Sequence, residues 1–111
     1  MKLLVRLSAL ALAISTVSTA ACAAEPTMGD ADALLKKYAC IACHAANTKV
    51  VGPAFKDVAA KYRDNKDAAK LLAEKVKKGG SGVWGSVPMP PNPSVPDADL
   101  QTIVNTILAM K

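Results

Sequence analysis

Four short stretches of the chain repeat apolar residues every three or four positions, the spacing of a helix with one buried face. They cover residues 30–39, 55–62, about 67–78 and 97–109. The apolar positions that define them are Ala31, Leu34, Leu35 and Tyr38 in the first, Phe55, Val58, Ala59 and Tyr62 in the second, Leu71, Leu72 and Val76 in the third, and Leu100, Ile103, Val104, Ile107 and Leu108 in the fourth. No apolar–polar alternation persists long enough for a strand. The pattern therefore predicts an all-α fold.

The segment between the third and fourth helices, residues 79–96, is rich in glycine and proline and predicts a loop. A loop of this length is uncommon in a small domain unless it has a function. Short helices and an aromatic content of 4% also leave a marginal hydrophobic core. We therefore expect a disulfide, a metal or a large apolar cofactor to complete the core.

The first 24 residues have the three parts of a secretory signal peptide. Lys2 and Arg6 give a positive start, an apolar run follows, and small residues precede a cut after Ala23 or Ala24. The apolar run is too short for a membrane-spanning helix. We predict a cleaved signal over residues 1–24 and export to an oxidising compartment.

Two alternatives to cleavage are a retained membrane anchor and a lipid-modified Cys22. Thr19 argues against lipidation, because such sites usually have an aliphatic residue three positions before the cysteine. With cleavage, residues 25–111 form a single domain.

The charge of that domain argues against nucleic acid as a partner. The whole chain has a formal net charge of +5, and loss of Lys2 and Arg6 lowers it to +3. Arg63 is then the only arginine, so the basic stripe of a nucleic-acid binder is missing. One histidine, few carboxylates and no glycine-rich phosphate loop exclude most multi-residue catalytic sites.

Cys40, Cys43 and His44 form the C-x-x-C-H pattern of covalent c-type haem attachment. Two thiols one helical turn apart can form thioethers with both vinyl groups of a porphyrin, and the adjacent imidazole can bind its iron. A thioredoxin-like dithiol would need a βαβ context, and a zinc site would need a fourth ligand. A disulfide would close a strained small ring and leave the histidine unexplained. The pattern predicts one covalent haem c with His44 as an axial ligand.

An iron bound by one histidine needs a second axial ligand or keeps an open position. Met28, Met89 and Met110 are the candidates in the exported domain. Met89 lies in the long loop between Pro88 and Pro90, whose fixed backbone angles hold a thioether in place. Methionine is more often core filler, and we interpret Met28 and Met110 as packing or solvent-exposed residues. We predict Met89 as the distal ligand.

Residues 40–44 (CIACH), 48–54 (TKVVGPA) and 82–92 (GVWGSVPMPPN) closely resemble the small bacterial class I cytochromes c of the c-551/c-552 type. The resemblance covers essentially residues 30–111. It implies a class I cytochrome c fold, with about four short helices wrapped around one low-spin haem whose axial ligands are His44 and Met89. We expect water to be excluded from the haem by Val51, Leu72, Val76 and either Leu100 or Ile103.

The same resemblance implies roles for three further residues. The Pro53 carbonyl would accept a hydrogen bond from the second nitrogen of His44, the Trp84 indole would donate to a haem propionate, and Asn92 would hydrogen-bond near the distal sulfur. Alternatively, Pro53 only breaks a helix, Trp84 is a core aromatic, and Asn92 forms a turn. Lys75 departs from the family because many relatives have an arginine there, so its contact with a propionate is in doubt.

The resemblance implies a one-electron carrier of the periplasm and not an enzyme. It would be a monomer, without a membrane span, that shuttles electrons between respiratory redox partners and terminal reductases or oxidases through an exposed haem edge. An alternative is a haem sensor or small peroxidase from which Met89 dissociates, and a third is a lipid-tethered redox module. The lysines that could steer acidic partners are Lys49, Lys56, Lys77 and Lys78.

Overall fold

The computed structural model describes residues 28–111, which form four α-helices and one short 3-10 helix. The helices are α1 (Met28–Lys37), α2 (Phe55–Tyr62), α3 (Ala68–Lys78) and α4 (Asp97–Leu108), and the 3-10 helix is Cys40–Ala42. This part of the chain has no β-sheet, and none of its helices is long and apolar enough to cross a membrane. The all-α prediction is confirmed. The predicted signal, residues 1–24, and its cleavage site lie outside the described residues.

The first helix ends earlier than the sequence predicts. α2 has the predicted bounds, whereas α1 ends at Lys37 instead of residue 39. Ala39 takes a left-handed backbone conformation, with φ of 57°, which an α-helix cannot contain. The chain therefore turns sharply and continues as the 3-10 helix that begins with Cys40.

α4 is the central helix, and α1, α2 and α3 each pack against it. Its regularly spaced apolar residues are buried on two adjoining sides. One core cluster contains Leu35, Phe55, Val58, Ile103 and Ile107, and the other contains Val95, Leu100 and Val104. Met110 packs against the first cluster, in agreement with its interpretation as a packing residue.

Tyr38 ties the end of α1 to the start of α4. Its hydroxyl donates to Asp99 Oδ2 at 2.5 Å, and Lys37 Nζ lies 3.4 Å from the same oxygen. The hydrogen bond from Tyr38, followed by the interactions with Lys37, lowers the pKa of the Asp99 carboxyl. This polar contact holds the chain at Tyr38, two residues before Cys40.

Candidate functional site

A cavity of about 310 Å³ opens between the Cys40–His44 segment and the 79–96 loop. Its volume lies at the lower end of the range of small-molecule and cofactor pockets, about 300–1,000 Å³. The helices contribute two charged residues, Asp57 and Lys75, and otherwise apolar side chains to the wall: Leu35, Phe55, Val58, Leu72, Val76, Ile103, Val104 and Ile107. Ile103 lines this space. Leu100 does not, and it is buried in the second core cluster.

Cys40 and Cys43 both line the cavity at one end. The 3-10 helix and a hydrogen bond from the His44 N–H to the Cys40 carbonyl, at 3.0 Å, wind this segment tightly. Both cysteines are half-buried free thiols, so no disulfide joins them. Burial raises the pKa of the Cys40 thiol. Two thiols therefore remain available for attachment of a group inside the cavity.

The His44 ring is held from two directions. Its Nδ1 lies 2.7 Å from the Pro53 carbonyl oxygen, and its face stacks on Phe55 with ring centroids 5.2 Å apart and planes 18° apart. Because a carbonyl only accepts hydrogen bonds, Nδ1 carries the proton. Nε2 is then left with its lone pair, which is the state that a metal ligand needs.

Gly52 is a site residue whose role was not predicted from the sequence. A Cβ at this position would lie 2.4 Å from His44 Cε1 and 2.9 Å from Nδ1. The Gly52 N–H also donates to the Cys43 carbonyl at 2.8 Å. The absence of a side chain at Gly52 is thus what allows the His44 ring to reach Pro53. A glycine directly before that proline is the only sequence signal for this role.

Met89, in the 79–96 loop, lines the same cavity. Two backbone hydrogen bonds hold it to Gly80. The Gly80 N–H donates to the Met89 carbonyl at 3.0 Å, and the Met89 N–H donates to the Gly80 carbonyl at 2.9 Å. Gly79, which ends α3 with φ of 67°, permits this close approach because a Cβ there would lie 2.4 Å from the Met89 carbonyl oxygen. The prolines on both sides of Met89 and the glycine pair opposite it together fix the loop backbone.

Asn92 closes the base of the loop. Its backbone N–H donates to the Val76 carbonyl of α3 at 2.8 Å. Its side-chain amide donates to the Pro90 carbonyl at 3.0 Å, so in this structure the amide supports the loop backbone. Its expected hydrogen bond near the Met89 sulfur stays a prediction.

Trp84 lies in the loop wall of the cavity, with 41% of its surface exposed. The Lys61 ammonium of α2 lies 5.3 Å from the centroid of its ring, a contact that the sequence analysis did not predict. Lys75 also lines the cavity, on the α3 side near Gly80. A propionate contact for Trp84 or Lys75 stays a prediction.

The lysines expected to steer partners differ in their surroundings. Lys49 lines the cavity and is exposed, and Lys56 is exposed on α2. Lys77 forms an ion pair with Asp97, and Lys78 lies 3.8 Å from Glu74. Part of the positive charge of α3 is thus neutralised by neighbouring carboxylates.

The donor set fits haem c better than the other groups considered from the sequence. A mostly apolar cavity lined by two thiols, an imidazole whose Nδ1 is bonded to a carbonyl and a methionine thioether matches covalent haem with two axial ligands. Within residues 28–111, no three histidine, cysteine, aspartate or glutamate side chains are grouped to hold a metal ion directly. No strand is present there to give the βαβ context of a thioredoxin-like dithiol.

Comparison with known proteins agrees with this geometry. The family model for cytochrome c matches residues 30–111. The chain is 61% identical over 82 residues to cytochrome c-552 of Nitrosomonas europaea, covering 74% of this chain and 79% of that protein. It is 49% identical over 82 residues to cytochrome c-551 of Pseudomonas aeruginosa, covering 74% and 78% respectively.

Solved structures show the same likeness. The crystal structure of wild-type Nitrosomonas europaea cytochrome c552 matches with a TM-score of 0.70 and 59% identity, covering 72% of this chain and 99% of that one. A class 1 cytochrome of Sideroxydans lithotrophicus matches with a TM-score of 0.65 at 27% identity, covering 74% and 94%. The predicted resemblance, the fold class and the covalent haem c are therefore confirmed. This chain belongs to the cytochrome c family, as a small class I c-type cytochrome.

Proposed function

We propose that this protein carries single electrons between redox proteins, through a haem iron bound by His44 and Met89. The observation that carries the proposal is the hydrogen bond from His44 Nδ1 to the Pro53 carbonyl, which leaves Nε2 available as a ligand in a cavity that Met89 also lines. When bound, haem c supplies an iron that alternates between Fe(II) and Fe(III). Membership of the cytochrome c family supports a role in electron transfer.

The protein's own residues favour electron transfer over turnover of a substrate. His44 and Met89 would fill both axial positions, and the Gly80–Met89 hydrogen bonds keep the loop backbone in one place. His44 is the only histidine of the chain, so no second imidazole is available as a distal acid or base. The apolar wall excludes water, which with a thioether ligand favours the reduced iron. We therefore propose a carrier and not an enzyme.

The cavity rim offers a surface for redox partners. Ile41 and Val50 are exposed apolar side chains that directly adjoin cavity-lining residues in sequence. Lys49 lines the cavity, Lys56 follows the lining residue Phe55, and both lysines are exposed and add positive charge. We propose that acidic redox proteins bind briefly at the rim of a monomer, and that salt slows their association.

We further propose that the protein acts in the periplasm after removal of residues 1–24. The support is the three-part pattern of the first 24 residues. The mass of the protein purified from the periplasm tests this, because cleavage after Ala23 or Ala24 removes Cys22, whereas a lipid anchor retains it. A mass that includes an acylated Cys22 would contradict the proposal and support a membrane-tethered carrier.

A variant of Met89 tests the ligand assignment. Met89→Ala removes the thioether and should abolish the weak long-wavelength absorption band of sulfur-ligated ferric haem and lower the reduction potential. Met110→Leu is the matched control, since Met110 packs against the first core cluster and should keep both properties. If Met89→Ala retains the band, the distal ligand is another group. A wild-type protein without the band would contradict His/Met ligation and support the sensor or peroxidase alternative.

A further inference from the structure

The tip of the 79–96 loop, residues 81–88, has no backbone hydrogen bond to the described helices. All of these residues except Ser86 line the cavity. In the described part of the chain, the only backbone hydrogen bond of these residues runs from Gly82 N–H to the Gly85 carbonyl at 2.8 Å, which closes a turn on itself. The hydrogen bonds between Gly80 and Met89 lie at the base of the loop. The backbone alone therefore leaves the tip unattached to the helical body.

Lys61 provides an attachment at this tip. Its Nζ lies 5.3 Å from the centre of the Trp84 ring, within the ~6 Å range of a cation–π interaction. Lys61 is in the last turn of α2, a helix anchored in the core by Phe55, Val58 and Ala59. The ion pairs of the described residues involve Lys37, Lys77 and Lys78 but not Lys61. Its ammonium is thus directed to the ring and not to a carboxylate.

We infer that Lys61 is a positioning residue, whose ammonium holds the Trp84 ring at the cavity and so keeps the loop tip in place. α2 then supports both sides of the cavity, because Phe55 at its start stacks on His44 and Lys61 near its end contacts Trp84. The inference rests on the proposed haem site only through the place of Trp84 in the cavity wall.

Trp84 is the only tryptophan of the chain, so the reduced holoprotein gives a single indole N–H signal in its NMR spectrum. The solvent exchange rate of that proton measures how firmly the ring is held. Lys61→Met removes the charge but keeps an unbranched apolar side chain, and should speed exchange about 2- to 5-fold, the effect of losing an exposed cation–π contact. Lys61→Arg keeps a cation that stacks on rings and should restore the slow rate.

Lys56→Met is the matched control, since it removes the same charge from an exposed position of the same helix. Equal exchange rates in Lys61→Met and Lys56→Met would overturn the inference. So would an Arg variant that exchanges as fast as the Met variant, because the contact would then not depend on the cation. Haem content and the long-wavelength absorption band are recorded on the same samples. Failure of the inference therefore shows as unchanged exchange with an intact band, whereas failure of the proposed ligand set shows as a missing band in the wild type.

Discussion

Replacing Gly52 with alanine directs a methyl group into the His44 ring. The added Cβ would lie 2.4 Å from Cε1 and 2.9 Å from Nδ1, whereas ordinary contacts begin near 3.4 Å. The ring must therefore move by about 1 Å, the difference between these distances. Gly52 does not have a positive φ, so alanine fits its backbone and the collision is the only new cost.

The size of the effect follows from what holds the ring. Its displacement breaks the 2.7 Å hydrogen bond to Pro53 and disturbs the stack on Phe55. A lost intramolecular hydrogen bond costs about 0.5–1.5 kcal/mol, and an extra methyl in a packed site costs about 1–3 kcal/mol. We expect the free energy of unfolding of the holoprotein to fall by about 2–4 kcal/mol, and its Tm by at least about 8 °C.

The assay is denaturant and thermal unfolding of the holoprotein by circular dichroism, with its visible absorption spectrum before unfolding. Lys66→Ala is the control, because this side chain is exposed between α2 and α3 and does not line the cavity. We expect Gly52→Ala to alter the haem spectrum and Lys66→Ala to leave it unchanged. A Gly52→Ala protein with wild-type stability and spectrum would refute the packing of Gly52 against His44.

Two further predictions concern the α1–α4 contact and the cofactor. Tyr38→Phe should destabilise the protein at neutral pH, because the Tyr38 hydrogen bond is the main cause of the lowered pKa of Asp99. A carboxyl whose pKa is lowered by folding stabilises the fold at pH values above its pKa in the unfolded chain, and this stabilisation is lost as the pH falls through its pKa in the folded protein. The stability difference between Tyr38→Phe and wild type should therefore shrink in unfolding curves recorded at acid pH. A difference that does not depend on pH would contradict this cause. The Cys40→Ala/Cys43→Ala chain without haem should be largely unfolded, because the apolar cavity wall would lose its packing partner. A cooperative, native-like thermal transition of that chain would show that the core is sufficient without the cofactor.

Local patterns in the sequence determined the helices and the attachment chemistry. The bounds of α2, the apolar stripe of α4 and the glycine end of α3 depend on residues a few positions apart, so periodicity and capping predict them. The C-x-x-C-H spacing is likewise local, since both thioethers and the imidazole belong to five consecutive residues. Met89 was a more distant prediction that depended on its flanking prolines. The residue lines the cavity, and its role as the distal ligand stays a prediction.

Only the tertiary structure decided how those pieces meet. The chain turns at Ala39 through a left-handed conformation that an alanine in the sequence does not predict. Ile103 lines the cavity, whereas Leu100 does not. The tertiary structure also brought Gly52 under the His44 ring and Lys61 over Trp84. Lys61 and Trp84 are far apart in sequence, and their contact depends on the relative placement of a helix and a loop. The residue types of Lys61 and Gly52 do not predict these contacts, because an exposed lysine is usually solvated and a loop glycine usually occupies a turn. Packing around α4, which no single segment encodes, selects the one arrangement in which these two contacts form.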